Sequence, residues 1–156
     1  MKFPFVIGVI SDTHGLLRQE ALEALRGSSL ILHAGDIGRP AIISELENIA
    51  PVRAIRGNID TGPWARKFPE TEVVEVGPFA LYMLHDRNAL DLKPRAAGFS
   101  AVISGHSHCP QYEIVDEVLY FNPGSAGPVR FRLPVSLGRI TVSGKALQPE
   151  LITLRF

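Results

Sequence analysis

Phe5-Val6-Ile7-Gly8-Val9-Ile10-Ser11-Asp12-Thr13-His14 runs without a break from an apolar stretch into an acid and an imidazole. A β-branched run with no polar alternation predicts a strand buried on both faces, as in parallel sheets. The polar residues begin where that strand should end, and ligands of open α/β sheets bind beyond the carboxyl ends of the strands. The same pattern returns twice. Leu30-Ile31-Leu32 leads into His33-Ala34-Gly35-Asp36, and Val52-Arg53-Ala54-Ile55 leads into Gly57-Asn58. Between these runs, residues 16–26 and the stretch after Pro40 space their Leu, Ile and Ala as helices do, stopped by Gly27 and Pro51. Strand, helix, strand, helix, strand predicts a parallel first half.

Beyond it, residues 60–70 are rich in turn formers and predict a loop. Residues 72–76 and 79–84 flank Gly77-Pro78 as a hairpin does. Residues 90–98 predict a short helix with Pro94 in its first turn, and Ala101-Val102-Ile103 another buried strand. The runs 112–115, 118–121, 135–142 and 147–154, the last two joined at Gly144-Lys145, predict mostly antiparallel pairing. The expectation is one domain over residues 1–156, of α/β class: a two-sheet β-sandwich flanked by helices.

Composition narrows the function. Sixteen basic and sixteen acidic side chains leave a formal charge of zero, which argues against a general nucleic-acid or membrane-surface binder. One cysteine, Cys109, cannot form an internal disulfide and fits a reducing compartment. Met1-Lys2-Phe3-Pro4-Phe5 runs straight into a strand pattern with no signal-peptide cleavage site, and no apolar stretch reaches the roughly 18 residues that span a bilayer. A soluble cytoplasmic protein is expected.

All five histidines sit in or beside short loops that follow apolar runs, three of them with an Asp in the same loop. His85 follows residues 79–84; His106 and His108 follow 101–103. If those strands are neighbours, Asp12, His14, Asp36, Asn58, His85, His106 and His108 meet at one edge. The i, i+2 spacing of Asp12 with His14 and of His106 with His108, in an extended loop, points each pair one way. Gly35, Gly57 and Gly105 permit close backbone approach just before candidate ligands. Imidazole mixed with carboxylate suits divalent manganese, iron or zinc. Seven candidates exceed one tetrahedral zinc, so two ions roughly 3.5–4 Å apart, activating a bridging water, is the economical reading. Asp36 is the natural bridge; one ion takes Asp12, His14 and His108, the other Asn58, His85 and His106.

Around this set, His33 is read as a buried hydrogen-bonding group behind the ligands. Asp60 either caps a turn or orients Asn58, and both readings stand. Cys109 is read as a packing residue rather than a ligand. Arg130 and Arg132 either grip a phosphate or are solvated surface. Asn122 and Ser125 either bond beneath the site or form a plain turn, and Trp64 with Phe68 should pack a loop.

In their order, Asp-x-His, Gly-Asp, Gly-Asn, His and Gly-His-x-His, with Arg56-Gly57-Asn58-x-Asp60 and Asn122-Pro123-Gly124-Ser125, resemble the calcineurin-like metallophosphoesterases, closest to the small bacterial and archaeal YfcE-type phosphodiesterase/phosphoesterase branch. The resemblance runs from Ile7 to about Ser125. It implies a four-layer αββα fold and two divalent ions, manganese first, with iron, zinc, nickel or magnesium as alternatives. It implies hydrolysis of a small phosphomonoester or phosphodiester, nucleotide-derived esters included, by a hydroxide bridging the ions, with Asp36, Asn58 and His85 catalytic. It also carries an alternative, a catalytically weak scaffold for protein assembly, because some relatives are subunits of membrane-coat assemblies. A homo-oligomer is compatible with either. Two positions depart from the family. Ile59 stands where larger members have a histidine proposed to assist the leaving group, which predicts a slow enzyme or one preferring aryl phosphates. Asp86 stands where small members commonly have glycine, and either repels an anionic substrate or accepts a hydrogen bond.

Overall fold

β1 (Phe5–Ile10) occupies the middle of a five-stranded sheet, as its unbroken apolar run requires. The computed structural model describes residues 3–156; Met1 and Lys2, which the expectations for 1–156 and for the first five residues include, lie outside the described residues. On one side of β1 lie β2 (Leu30–His33) and β3 (Val52–Ala54), both parallel to their neighbours. The connections are α1 (Gln19–Leu25) and α2 (Ala41–Glu47). The first helix is shorter than the 16–26 read from its spacing, because the chain stays extended at Arg18 and no side chain caps it there. His33 is the last residue of a strand rather than part of a loop.

The second sheet contains β4 (Thr71–Val76), β5 (Phe79–Leu84), β6 (Ala101–Ile103), β7 (Gln111–Val115) and β8 (Val118–Asn122), in the order β4-β5-β6-β8-β7. The hairpin at Gly77-Pro78 forms as expected. The expectation of mostly antiparallel pairing fails for the centre of this sheet, where β6 runs parallel to both β5 and β8. Its continuous apolar triplet, buried on both faces, is the pattern of a parallel central strand. The last hairpin, β9 (Ser136–Val142) and β10 (Leu147–Thr153), returns to the first sheet and pairs antiparallel against β1.

The main core fills the space between the sheets. Ile7, Val9, Leu32 and Ile140 from one meet Leu81, Met83, Ile103 and Phe121 from the other. A second core lies under the helices, where Ala21, Leu25, Ile42 and Leu46 cover Ile10, Ile31 and Leu137. α1 comes so close that a Cβ on Gly8 would strike Leu25 at 2.5 Å. The outer face of the second sheet is covered by segment 86–99, whose Leu90 packs on Leu84, Val102 and Val118. The helix expected at 90–98 is absent: the segment makes turns, with Pro94 removing a donor and Gly98 at φ +87. Residues 60–70 hold a 3₁₀ helix, Pro63–Lys67, beside which Trp64 and Phe68 pack edge to face as expected. Among the described residues, no helix is long and apolar enough to cross a membrane.

Candidate metal centre

The ends of β1, β2, β5 and β6 bring their polar loops to one rim of the sandwich. Backbone bonds tie them: Asp12 N–H donates to Gly35 O at 2.9 Å, His14 N–H to Asp36 O at 2.9 Å, and Gly105 N–H to His85 O at 2.9 Å. Side chains of the Asn-Pro-Gly-Ser turn support the same loops from beneath. Ser125 Oγ donates to Asp12 O, and Asn122 Nδ2 donates to Gly105 O.

Asp12 and Asp36 are the buried heart of this rim, at 0% and 3% exposure. Asp12 Oδ2 accepts from Ser11 Oγ at 2.6 Å and from His106 N–H at 3.0 Å. Its Oδ1 has no hydrogen-bond partner, although it is buried. Three imidazole Nε2 atoms surround that oxygen: His108 at 3.3 Å, His85 at 3.7 Å and His14 at 3.8 Å. Asp36 Oδ2 faces His85 Nε2 at 3.3 Å and His14 Nε2 at 3.6 Å, while Oδ1 accepts from Ile59 N–H at 3.1 Å. His14 Nε2 and His85 Nε2 are themselves buried without partners.

Two triads have ligand atoms that all lie within 4.8 Å of one another: Asp12, His14 and His108, and Asp12, Asp36 and His85. Buried polar atoms left without partners cost about 1–3 kcal/mol each. Asp12 Oδ1, His14 Nε2 and His85 Nε2 lie together without partners beside the Asp36 carboxylate, a donor set that fits divalent cations, and a bound cation would satisfy them. His85 adds a further sign. Its Nδ1 donates to Ala34 O at 2.7 Å, the arrangement by which a metal-ligating histidine presents Nε2.

The sequence-derived set is not equally enclosed. Asn58 and His106 are exposed, and both line, with His85, a cleft of about 520 Å³ that also includes Arg56, Tyr82 and Asp86. His106 packs its ring against that of His85, 5.2 Å away. Asp12 is common to both triads, and both carboxylates face both His14 and His85.

Loop geometry differs from the extended i, i+2 reading. Asp12, His14, Asp36, His106 and His108 all adopt positive φ, between 46° and 71°. Such backbone costs of order 1–3 kcal/mol per non-glycine residue and clusters where function requires it. The left-handed turns bring Asp12, His14 and His108 together in one triad, while His106 stays exposed at the cleft. Gly105 permits the approach read for it: a Cβ there would overlap Ser11 Oγ and crowd Asp12 Oδ2 at 2.5 Å.

Charge follows from burial and pairing. Burial alone would raise the Asp12 pKa, but the facing imidazoles of His108 and His14 and the Ser11 hydroxyl hold it well below the usual carboxylate range. Asp36 is likewise lowered against its burial, by His85 and the Ile59 N–H. His85, which burial would depress, is raised to about 8 by Asp36 and Asp12.

The remaining candidates divide. His33 is fully buried behind the rim: Nδ1 accepts from Gly35 N–H, so Nε2 donates to Thr13 Oγ1, which donates on to Ile37 O. Burial holds it neutral, with its pKa pushed down to about 4. Asp60 accepts from Gly57, Ile37 and Gly38 N–H, clamping the Asp36 loop to the Asn58 loop. Asp86 caps a 3₁₀ turn through Asn88 N–H and lies 3.8 Å from His106 Nε2. Arg130 and Arg132 are exposed in segment 127–134 and line neither the 520 Å³ cleft nor the polar cavity beside it. Cys109 is exposed, which overturns the packing role; it follows His108 outward, its N–H bonded to Ser107 Oγ. The reading missed Ser11 and Thr13, whose hydroxyls flank Asp12 in sequence and serve as its donor and as the partner of His33.

A family model described as the calcineurin-like phosphoesterase superfamily domain matches residues 5–145. A probable metallophosphoesterase of Methanothermobacter thermautotrophicus is 33% identical over 94% of this chain and 91% of its own length. Among solved structures, an archaeal phosphodiesterase superimposes with a TM-score of 0.79 at 25% identity, covering 95% of this chain and all of that one. Vacuolar protein sorting 29 of Cryptosporidium parvum superimposes at 0.84 with 21% identity, over 99% of this chain and 93% of its own.

Proposed function

The chain belongs to the calcineurin-like phosphoesterase superfamily, and from that premise we propose that it is a metal-dependent phosphoesterase acting on small phosphomonoesters or phosphodiesters. The observation that carries the proposal is the pair of buried carboxylates, Asp12 and Asp36, facing the Nε2 atoms of His14 and His85, which have no partner among the described residues. We assign Asp12, His14, Asp36, Asn58, His85, His106 and His108 as the residues that hold two divalent ions, manganese first. Bound there, the ions supply Lewis-acid polarisation of the ester and a water nucleophile at neutral pH.

The chain's own groups do the rest. Asp12 and Asp36 hold negative charge because their neighbours keep them ionised. Ala34 fixes the His85 ring, and Asp60 fixes the turn that presents Asn58 at the cleft. Asn58 and His106 stand where an ester oxygen entering the cleft would meet donors. Ile59, 43% exposed, offers no proton to a leaving group, so aryl esters should be the better substrates. Both sheets contribute to the rim, so the chain acts as a single unit, and its free exposed Cys109 suits the cytoplasm.

Purified protein supplied with Mn²⁺ should hydrolyse 4-nitrophenyl phosphate or bis(4-nitrophenyl) phosphate, and chelation or Asp36→Asn should abolish turnover. Hydrolysis that survives both would overturn the assignment. A second reading, a catalytically weak scaffold in protein assembly, draws on Tyr112, Ile114 and Val115, exposed on the edge strand β7. A near-stoichiometric complex from cells, with no turnover of any phosphoester, would favour it.

A further inference from the structure

A second cavity, about 420 Å³, adjoins the cleft and shares with it only His106 and Asp86, which therefore form a partition between them. Its volume is within the roughly 300–1,000 Å³ of small-molecule sites. Its walls are polar. Ser107 Oγ accepts from Asn122 Nδ2 at 3.1 Å and from Cys109 N–H at 3.2 Å, so its lone pairs are engaged and its own proton is left to donate. Gln111 and Ser104 add further donors and acceptors, and Tyr120 adds a flat face.

Among the described residues, the cavity offers no free positive side chain. Arg87, its one cation, stacks 4.1 Å from the Tyr120 ring centroid and pairs with Glu113 at 2.7 Å. The Asp86 carboxylate stands at the partition, 3.8 Å from His106 Nε2. A group bearing its own phosphate would therefore find, beyond the partition, no unpaired side-chain cation to receive it. A hydroxyl-bearing group would meet Ser107 as a donor and Asp86 as an acceptor.

We propose that this cavity is the subsite for the second alcohol arm of a phosphodiester, and that the arm it selects is neutral and hydroxyl-bearing. A sugar or nucleoside fits that description; a phosphorylated group does not. The inference rests on the phosphoesterase reading above: an ester phosphorus at the metal rim would have its aryl arm over Tyr82 and Leu84 in the cleft, and its polar arm across His106 in the cavity. Hydrolysis of such a diester adds water across one P–O bond, releasing 4-nitrophenolate and leaving the polar arm on the phosphate.

The test compares thymidine 5′-(4-nitrophenyl phosphate), its 3′-phosphorylated counterpart and 4-nitrophenyl phosphate. Wild type should prefer the neutral diester to the 3′-phosphorylated one. Gln111→Trp, a substitution on an exposed edge strand that fills the cavity mouth, should lower the ratio of kcat/KM for the neutral diester to that for the monoester about tenfold, through KM. In the zinc-loaded protein, amide resonances of Ser107 and Gln111 should shift on adding the thymidine ester and stay in place with 4-nitrophenyl phosphate. An unchanged ratio, a preference for the 3′-phosphorylated ester, or equal amide shifts would each overturn the subsite. If no ester is turned over with any metal, the phosphoesterase reading falls, and the amide shifts alone decide the cavity.

Discussion

His85 donates its Nδ1 proton to the Ala34 carbonyl at 2.7 Å, and this one bond turns Nε2 toward Asp36 Oδ2, 3.3 Å away. In the metal-free protein, burial opposes a charge on His85, but Asp36 and Asp12 outweigh it and raise the pKa to about 8. A cation must therefore displace a proton. Metal binding at pH 7 should release about one proton, and affinity should climb as pH rises toward about 8. Calorimetric titration in two buffers of different ionisation enthalpy measures the release, and none at all would remove His85 from the ligand set. Because the folded pKa is raised, the charged pairing stabilises the metal-free protein below about 6.5 and is lost as pH rises through about 8. The melting temperature of chelator-treated protein should fall across that interval.

Asp60 joins two loops through one carboxylate, accepting Gly57 N–H at 2.8 Å and Ile37 and Gly38 N–H at 3.0 Å each. Asp60→Ala would leave the buried Ile37 N–H unpaired and free the part-buried Gly57 N–H, at a cost of about 1–3 kcal/mol for the buried donor. The loops bearing Asp36 and Asn58 would lose their common anchor, so metal affinity should drop by about 10–100-fold. Urea denaturation and a metal titration together check this. Full retention of both quantities would show that Asp60 is only a turn cap.

Much of this was legible before any coordinates, because the strand-end pattern is local. Apolar runs closing on Asp12, Asp36, Asn58, His85 and His106 announce both where the strands stop and which side chains gather there. What escaped depends on partners distant in sequence. The apolar triplet 101–103 marks a buried strand, but nothing near it tells that its partners are β5 and β8, or that β9 crosses back to β1. The helix expected over 90–98 had adequate apolar spacing, yet Leu90 is used to cover the second sheet and the chain around Pro94 turns instead. At the site, the left-handed backbone of Asp12 and His14 is strain that the whole rim sustains, and no dipeptide rule predicts it. Ser11 could have been found, since a hydroxyl beside a buried acid is a ready donor. Asp60 was found but left with two roles, because only its contacts with Ile37 and Gly38 decide between them.

His33 gives the protein an acid sensitivity separate from its carboxylates. Fully buried and neutral, it has a pKa pushed down from 6.5 to about 4. A depressed histidine pKa means that the unfolded chain binds the proton more readily, so stability declines as pH falls from about 6.5 to about 4. The shift corresponds to about 3 kcal/mol at the acid end of that window. In His33→Gln the slope of unfolding free energy against pH should be shallower over the same interval. Parallel slopes for the two proteins would place the acid sensitivity elsewhere.

Gly57 tests whether the rim tolerates any displacement. A Cβ built there would overlap Asp36 Oδ1 and crowd the Asp36 amide, and neither can move without disturbing the bonds from Ile59 and within the clamped loop. Gly57→Ala should therefore push the Asp36 carboxylate out of line with His85 and weaken metal binding by about tenfold or more, on the scale of lost orienting contacts. Gly144→Ala is the matched control, because a Cβ there meets nothing within 4 Å. Metal titration of the two variants, each checked for cooperative unfolding, should separate them clearly. Equal affinities would mean that the two loops can part without consequence, and that the close approach of Gly57 to Asp36 serves packing alone.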